Sequence, residues 1–307
     1  MRDELDVTLT QLRYFVAAAE AGNMTEAART LFVSQPSIST AVAHLEETLG
    51  VQLFLRHHAR GLSVTQAGTQ VLTDARSLLA QARELADRGR SLGKEPSGNL
   101  SVGCFLTLSP FYLPQILANW SVQFPKIRLS VREGTTEGLQ TDLLAGDCEL
   151  ALLYGLELSE ELETEVLCAA PPYIALPEGH RLAGSAGLWL AELAGEPMVL
   201  LDLPMDREYF LSLLFMANVE PAVIHRSPNY ETVRTLVANG YGFSILNQRP
   251  LISTTYNGSR VVVVPVLDPV RPIDVVLATV RGARLSERAS AFASWCRIAL
   301  AARDTLA

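Results

Sequence analysis

Apolar residues between positions 24 and 49 recur at helical spacing in two short stretches, with a polar turn between them. The apolar positions are Met24, Ala27, Ala28 and Leu31 in the first stretch and Ile38, Val42, Leu45 and Leu49 in the second. Spacings of three and four residues bring such positions onto one face of a helix, which would be buried. The pattern predicts two short helices joined by a tight turn. A further helix is predicted upstream, beginning after Thr8 in a capping box.

Capping residues stand at the ends of both predicted helices. Asn23 precedes the first helix, and Glu26 follows three residues later at the position required for a capping box. Ser34 precedes the second helix, and Pro36 lies in its first turn, where the missing N–H does no harm. Gly50 follows the last apolar position and is the expected helix stop.

The outward face of the second helix carries small polar side chains. These are Gln35, Ser39 and Thr40, together with Ala43. Gln and Ser can hydrogen-bond to base edges, and short side chains let a helix lie deep in the major groove of DNA. The face favours a DNA-reading helix, but an ordinary surface helix in a small bundle fits these residues equally well.

Two apolar runs follow, at residues 51–55 and 62–64, and they predict a pair of short strands. The turn between them is basic and contains Arg56, His57 and Arg60. A positively charged wing beside a reading helix would hold DNA phosphates. The wing therefore raises the expectation that the helix pair binds DNA.

Several short motifs lie at fixed spacing across residues 9–68. They are Leu12 with Phe15, Ala27-Ala28 with Leu31, Ser34-Gln35-Pro36-Ser37-Ile38-Ser39, Leu45-Glu46 with Leu49-Gly50, Leu53-Phe54 with Arg56, and Thr65 with Ala67-Gly68. On these residues the segment resembles the winged helix-turn-helix of LysR-type transcriptional regulators. The resemblance extends, more weakly, over the whole chain. It implies a transcriptional regulator that places Gln35, Pro36, Ser39 and Arg56 against DNA.

The expected DNA contacts depart from the family pattern at one position. The expected set is Thr25, Ser34, Gln35, Pro36, Ser37, Ser39, Thr40, Arg56, His57, Arg60 and Thr65. LysR-type proteins usually carry Arg directly after the second Ser of the motif, where this chain has Thr40. Thr cannot make the bidentate contact of Arg to guanine or phosphate. We therefore expect affinity or sequence preference to differ from the family norm.

Net charge does not by itself indicate DNA binding, since the formal charge of the 307 residues is −8. Residues 1–95 carry 10 Lys and Arg against 11 Asp and Glu, and the remainder carries 15 against 22. The acidity therefore lies outside the predicted DNA-binding segment, which is close to neutral. We expect modest non-specific binding and few phosphate contacts per subunit.

A long helix is predicted from Thr65, which can cap it, to about Leu92. Apolar or small residues recur along it at spacings of four and three, at Val71, Ala75, Leu78, Ala82, Leu85, Gly89 and Leu92. This heptad seam predicts a homodimer or homotetramer, because a single winged helix reads few bases. Packing of the helix on its own domain is the alternative. The predicted domains are residues 1–64, residues 65–95 as the linker helix, and residues 96–307.

Strand and helix patterns alternate from residue 99 onward. Strands are predicted at residues 100–104, 127–132, 150–153, 173–176, 198–201, 223–225, 243–246 and 273–279, and helices at 110–124, 137–145, 207–217, 230–239 and 286–302. This order predicts a mainly parallel α/β sheet with helices on both faces, following an α+β N-terminal domain. It resembles the effector domain of LysR-type regulators, which has a two-lobed periplasmic-binding-protein fold. Lobe I would hold residues 96–169 and 273–307, and lobe II residues 170–272.

Polar residues follow the predicted strands of both lobes. They are Thr107, Ser109, Thr135, Thr136, Asp202 and Asn247. Hydroxyls beside helix N-termini suit a carboxylate or similar anion, and the resemblance implies that Thr107 and Thr135 contact the effector. Ser109 and Thr136 have helix capping as an alternative role. Asp202 would repel a dianion, so it would instead fix a hydroxyl, an amine or Arg249.

The sequence does not indicate an enzyme, a metal-binding protein or a membrane protein. Residues 242–246 lack the last glycine of the hydrolase nucleophile motif, and the four cysteines lack metal-ligand spacing. No catalytic residue, metal site or cofactor is predicted besides a small-molecule effector. Without a signal peptide or long apolar run the protein is expected in the cytoplasm, and a solute-binding protein is the alternative class. The expected partners are double-stranded DNA, the effector, further copies of the chain and RNA polymerase.

Overall fold

Helices and a two-stranded hairpin form the N-terminal part of the protein. The structure, a computed structural model, describes residues 7–57, 61–91 and 96–301. The N-terminal elements are α1 (Leu9–Ala21), α2 (Met24–Thr30), α3 (Gln35–Leu49), β1 (Phe54–His57), β2 (Gly61–Val64) and α4 (Gln66–Ser91). The hairpin is antiparallel, with Phe54 opposite Val64. The predicted winged helix-turn-helix is confirmed.

The apolar faces predicted for α2 and α3 meet α1 in one core. Its fully buried members include Phe15, Ala18, Ala27, Ile38, Val42, Leu45 and Leu53. The ring of Phe15 packs edge-on against that of Phe54, with centroids 5.3 Å apart, and so brings the hairpin into this core. The prediction that Leu49 lies on the buried face is wrong, because this last residue of α3 is 39% exposed.

The predicted helix ends are confirmed with one exception. The side chains of Asn23 and Ser34 cap α2 and α3, and Gly50 ends α3 in the left-handed conformation with φ of 67°. The capping box predicted for Glu26 is wrong, because its carboxylate pairs with Arg29 at 3.2 Å instead of reaching back to the cap.

Helix α4 has two different surroundings along its length. The first half of the helix packs against the N-terminal core through Val71, Ala75 and Leu79. This half therefore forms part of the winged helix-turn-helix domain. Leu78 is 49% exposed and Leu85 is 73% exposed, although both are apolar. Packing on its own domain therefore accounts for only part of the predicted seam. Leu92, its last position, lies outside the described residues.

A second compact unit holds residues 98–143 and 148–307, while the first holds residues 1–97 and 144–147. The second begins with β3 (Gly98–Phe105), α5 (Ser109–Leu117), α6 (Trp120–Gln123), β4 (Ile127–Gly134), α7 (Thr136–Ala145), β5 (Leu150–Tyr154), β6 (Leu162–Ala170) and β7 (Tyr173–Pro177). It continues with a 3-10 helix (Leu190–Leu193), β8 (Pro197–Leu201), α8 (Pro204–Met216), β9 (Ala222–Ser227), α9 (Tyr230–Ala238), β10 (Ser244–Leu246), β11 (Val261–Pro265), β12 (Ile273–Val280) and α10 (Glu287–Ala301).

The grouping of the strands in the second unit confirms the two-lobed architecture. Lobe I is a five-stranded sheet in the order β4-β3-β5-β12-β6. Lobe II contains the sheet β10-β7-β11 and the parallel pair β8-β9. These are joined where the Val199 N–H donates to the Phe243 carbonyl at 2.8 Å. Within the part of the chain that is described, no helix has the length and apolar composition needed to cross a membrane.

The expectation of a mainly parallel sheet is wrong. Strand β3 is parallel to β4 and β5, but β12 is antiparallel to β5 and β6, and β7 is antiparallel to β10 and β11. Strands β6 and β11 were absent from the prediction. Most of the β6 residues are exposed or half-buried, so that strand lacks the continuous apolar run of a central strand.

The single helix predicted at residues 110–124 is also wrong, because the chain forms α5 and α6 there. Asn119 separates them with φ of 62°. Asn tolerates the left-handed conformation better than most residues, since its short polar side chain can hydrogen-bond locally. The break therefore lies at Ala118, whose ψ of 126° is not helical, and at Asn119.

Because Leu78 and Leu85 of α4 are exposed, we predict that negative charge at these two positions weakens the association of the subunits. In Leu78→Asp/Leu85→Asp, association through the seam would bury unpaired carboxylates, which is strongly unfavourable. We expect light scattering to show a smaller species than the wild type. Thr73→Asp/Ser77→Asp is the matched control, because it adds the same charge at exposed positions on another side of the helix. An unchanged mass for the leucine variant would contradict the seam.

Candidate DNA-binding face and effector site

The N-terminal end of α3 brings the predicted reading residues together. Gln35, Pro36, Ser37 and Thr40 are exposed, and Ser39 is half-buried. These side chains lie at the positive end of the helix dipole, which favours phosphate nearby. The arrangement can hydrogen-bond to base edges and accept a phosphate at the same helix end.

Two predicted serines also serve the cap of α3. The Ser34 hydroxyl lies 2.7 Å from that of Ser37 and accepts the Ser37 N–H at 3.3 Å. This pairing holds the first turn of the helix in place. Thr25, at the start of α2, is exposed, and its N–H donates to the Asn23 side chain at 2.7 Å.

A carboxylate that the sequence reasoning did not single out attaches the wing to α3. Glu46 Oε1 accepts the N–H of Leu53 at 2.7 Å and that of Phe54 at 3.1 Å. The first strand of the wing is thereby held at the C-terminal end of the reading helix. In the sequence, Glu46 stands out only as part of a family motif. Its separation of seven and eight residues from Leu53 and Phe54 gives no sign that they are in contact.

The wing itself is described in part. The backbones of Arg56 and His57 pair with Leu62 and Gly61 in the hairpin. Arg60, the third predicted wing residue, lies outside the described residues. The hairpin places Arg56 and His57 on the strand that Glu46 anchors.

Thr65 joins the wing to α4. Its hydroxyl donates to the Gln52 carbonyl at 2.7 Å and accepts the Gly68 N–H at 2.9 Å. A Cβ on Gly68 would come within 2.3 Å of the Leu53 carbonyl oxygen, so only glycine allows this close packing. The structure therefore places Thr65 in a cap between wing and linker helix rather than among the exposed residues of α3.

In the second unit, the ends of β3, β5 and β10 bring polar side chains of the two lobes into contact. The Tyr154 hydroxyl donates to Asn247 Oδ1 at 3.1 Å. It accepts from Gln248 Nε2 at 3.0 Å and from the Thr107 hydroxyl at 3.4 Å. Thr107 and Asn247, both predicted, thus meet through Tyr154, and all four side chains are buried. Tyr154 and Gln248 were not predicted, since nothing in the sequence marks them.

A pair of phenols lies behind Gln248. The hydroxyls of Tyr173 and Tyr230 are 2.9 Å apart, and both contact the Gln248 carbonyl. Burial raises the pKa of Tyr173 to about 12. Burial, with a further contribution from Tyr173, also raises the pKa of Tyr230. Both groups therefore stay protonated at neutral pH. The ring of Phe111, from lobe I, packs edge-on against Tyr230 at 5.4 Å.

The remaining predicted effector residues make local contacts. The buried Ser109 hydroxyl donates to the Phe105 carbonyl at 3.2 Å. Thr135 is exposed, and its hydroxyl accepts the Gly138 N–H at 3.3 Å, so it caps α7. Thr136 is buried in the first turn of that helix.

The carboxylate of Asp202 pairs with Arg207 Nη1 at 3.0 Å. Of its three expected roles, the pairing with Arg249 is therefore wrong, and the fixing of a hydroxyl or an amine stays a prediction. Arg207 lies five residues further on, in the second turn of α8, where it can reach back to Asp202, two residues before the helix.

Two features of the interlobe cluster suit a ligand. The N-cap residue of α5 is Leu108, which directly follows Thr107 and supplies no side-chain hydrogen bond to the start of the helix. Among the described residues, Asn247 Nδ2 is buried and has no hydrogen-bond partner. Buried donors are normally paired with protein, water or a bound molecule. The cluster can therefore offer a hydroxyl, a carboxamide N–H and a helix N-terminus to a small polar molecule.

Two family models match the chain. Residues 9–69 match the model described as bacterial regulatory helix-turn-helix protein, lysR family, and residues 93–301 match the LysR substrate binding domain. The chain belongs to the LysR family of transcriptional regulators. This LysR regulator is a DNA-binding regulator of transcription whose C-terminal domain responds to an effector, and it is a homo-oligomer.

Relatives of the LysR regulator align over most of their length. HinK, a LysR family transcriptional regulator from Pseudomonas aeruginosa, is 39% identical, with 96% of this chain and 99% of that chain covered and a TM-score of 0.65. The hydrogen peroxide-inducible genes activator of Pectobacterium carotovorum is 31% identical over 241 residues, which are 78% of this chain and 80% of the relative. Full-length CbnR, in a crystal structure with its target DNA, is 25% identical, with 96% and 100% covered and a TM-score of 0.56.

We predict that the wing depends on the hydrogen bonds that Glu46 accepts from Leu53 and Phe54. Glu46→Ala leaves two backbone N–H groups without their acceptor, and a hydrogen bond to a charged group contributes roughly 1.5–3 kcal/mol. We expect chemical denaturation to show a loss of about that size and hydrogen exchange to speed up at Leu53 and Phe54. Glu47→Ala removes the same charge from an exposed neighbour and should change neither. Equal behaviour of the two variants would show that the wing does not depend on Glu46.

Proposed function

We propose that the LysR regulator reads DNA with the exposed start of α3. Gln35 and Ser39 would hydrogen-bond to base edges, and Arg56 on the wing would hold phosphate. The observation that carries this assignment is the exposure of polar side chains in the first turns of α3, whose buried face, with Ile38 and Val42, packs into the N-terminal core. Thr40 replaces the Arg usual in the family, which removes one bidentate contact and predicts a weaker dependence of affinity on salt.

We further propose that the regulator acts by binding alone, in the cytoplasm, where it meets DNA and RNA polymerase. The support for this is family membership, since the relatives are regulators of transcription. A change in transcription requires that the bound regulator alters the access or the activity of polymerase. RNA polymerase is therefore the proposed partner in addition to DNA, effector and further copies of the chain.

The proposed effector site is the interlobe cluster of Thr107, Tyr154 and Asn247. A small anion, such as a carboxylate, would accept hydrogen bonds from the Thr107 hydroxyl and from the unpaired Asn247 Nδ2, at the uncapped start of α5. The dipole of α5 favours negative charge at this end of the helix, although Pro110 has no N–H and the N–H groups of Leu108 and Phe111 already donate to backbone carbonyls. Thr135 would act indirectly, because its hydroxyl already caps α7.

Before the effector binds, a hydrogen-bond network already joins the two lobes. Effector binding would change this network. Tyr154 connects Thr107 of lobe I to Asn247 and Gln248 of lobe II. A ligand that takes over the Thr107 hydroxyl changes which lobe arrangement is most stable, so it shifts the population of two arrangements. In an oligomer such a shift would change the spacing of the DNA-reading heads.

Cys104 and Cys296 are poor candidates for a peroxide-reactive thiol, although one relative is a hydrogen peroxide-inducible genes activator. Thiol oxidation by peroxide proceeds through the thiolate. Burial raises the pKa of Cys104 and of Cys296 to about 12, so both thiols are protonated at neutral pH. Peroxide at concentrations that oxidise sensor thiols should therefore leave these two unmodified.

The assignment of α3 is tested with DNA selected by the wild-type regulator from a random-sequence library. Gln35→Ala should lose roughly 1–3 kcal/mol of affinity for the selected sequence and relax preference at one base position. Arg56→Ala should weaken binding to all sequences alike and reduce the salt dependence. Wild-type binding by both variants in a quantitative gel shift would show that α3 is not the reading helix.

The effector site is tested by two conservative changes that keep shape and remove a hydroxyl, Thr107→Val and Tyr154→Phe. Each should weaken the response to the inducing metabolite by roughly 1–3 kcal/mol, because a buried polar group loses its partner. Binding to DNA without effector should stay intact. Thr141→Val is the control, since it makes the same change at an exposed site on α7. A reporter titration with unchanged sensitivity in both test variants would exclude the cluster as the effector site.

A further inference from the structure

The turn between α2 and α3 exposes an aromatic ring. Phe32 is 96% exposed, whereas its neighbours Leu31 and Val33 are half-buried against the N-terminal core. At this exposure the ring of Phe32 contributes almost no apolar burial to the folding of the N-terminal unit.

The backbone of Phe32 is also unfavourable for its side chain. Its φ is 55°, in the left-handed region that disfavours bulky residues. The other non-glycine residues with positive φ in the described chain are Asn119, Glu157 and Asn218, so Phe32 is the aromatic one among them. Asn or Gly would fit this turn with less strain, and strain retained in a structure points to a role outside folding.

The position of Phe32 connects it to the DNA-reading face. Ser34, the cap of α3, follows two residues later, so their Cα atoms lie within about 7 Å of each other. Exposed surface continues from Phe32 through Ser34 to Gln35 and Pro36. A ring at this point would lie at the edge of the groove that receives the start of α3.

We propose that Phe32 makes an apolar contact with DNA beside the reading helix, against a thymine methyl group or a deoxyribose. Phe is among the side chains that contact the thymine methyl in the major groove. A deoxyribose offers a similar apolar surface next to the phosphates that position the protein. The inference rests on the proposed entry of α3 into the major groove and adds a contact outside the family motif.

The variant Phe32→Asn tests the proposal, because its effect on stability and its effect on DNA affinity should have opposite signs. Phe32→Asn should raise the midpoint of thermal unfolding by about 2–6 °C, because Asn relieves the left-handed strain. The same variant should bind the selected DNA about tenfold more weakly, because the apolar contact is lost. Phe32→Leu retains an apolar side chain and should keep most of the affinity. Val122→Asn, which removes an exposed apolar side chain from the second unit, is the control and should bind normally.

DNA with uracil in place of single thymines distinguishes the two contacts. If the ring meets a methyl group, one replacement weakens wild-type binding and has no effect on Phe32→Asn. If the ring meets a sugar, no replacement has this effect, although Phe32→Asn still binds more weakly than the wild type.

Normal affinity of Phe32→Asn would overturn the proposal, and Gln35→Ala shows which part has failed. If Gln35→Ala weakens binding, the placement of α3 holds and only the Phe32 contact is wrong. If neither variant weakens binding, the placement of α3 is wrong as well. Normal affinity combined with lost reporter activation would assign Phe32 to a protein partner and would also overturn the contact with DNA. Phe32→Gly, which also relieves the strained φ, provides the same readouts if the Asn variant fails to fold.

Discussion

Burial of one face of α3 is the constraint on which the DNA-binding unit depends. Ile38 and Leu45 are 0% exposed and Val42 is 1% exposed, and each such side chain contributes roughly 1.5–3 kcal/mol when buried. A shift of one residue rotates a helix by about 100°. Such a shift would turn these side chains away from the core and change which polar side chains face outward. The protein core, and not the DNA, therefore decides which residues face outward.

The effector-binding unit depends on a different constraint, the pairing of polar groups buried between its lobes. Tyr154 satisfies three partners at once, and the Gln248 carbonyl is shared by two phenols. Such networks are stable only when most members are paired, so an unpaired Asn247 Nδ2 stands out. A ligand that pairs this donor would stabilise one lobe arrangement over the other. Binding and conformational change then follow from the same hydrogen bonds.

Sequence patterns predicted local features and missed contacts between distant residues. Helical period and capping residues predicted α3 and its outward face, because both depend on neighbours a few positions apart. The role of Glu46 was not predictable from spacing, since its Oε1 atom accepts two N–H groups that lie beyond the end of α3. Tyr154 and Gln248 were missed because they are 94 residues apart in the chain and meet only where the two lobes contact each other. Strand direction was also misjudged, because β12 returns to the first sheet after the whole of lobe II.

Dimethyl sulfate footprinting of the selected DNA tests the central claim most directly. The reagent methylates guanine N7 in the major groove and adenine N3 in the minor groove, so it reports which groove a protein occupies. With the wild-type regulator bound, the account predicts protection of guanine N7 in two half-sites, one for each α3 of a dimer. Protection of adenine N3 alone, with guanine N7 fully reactive, would contradict it.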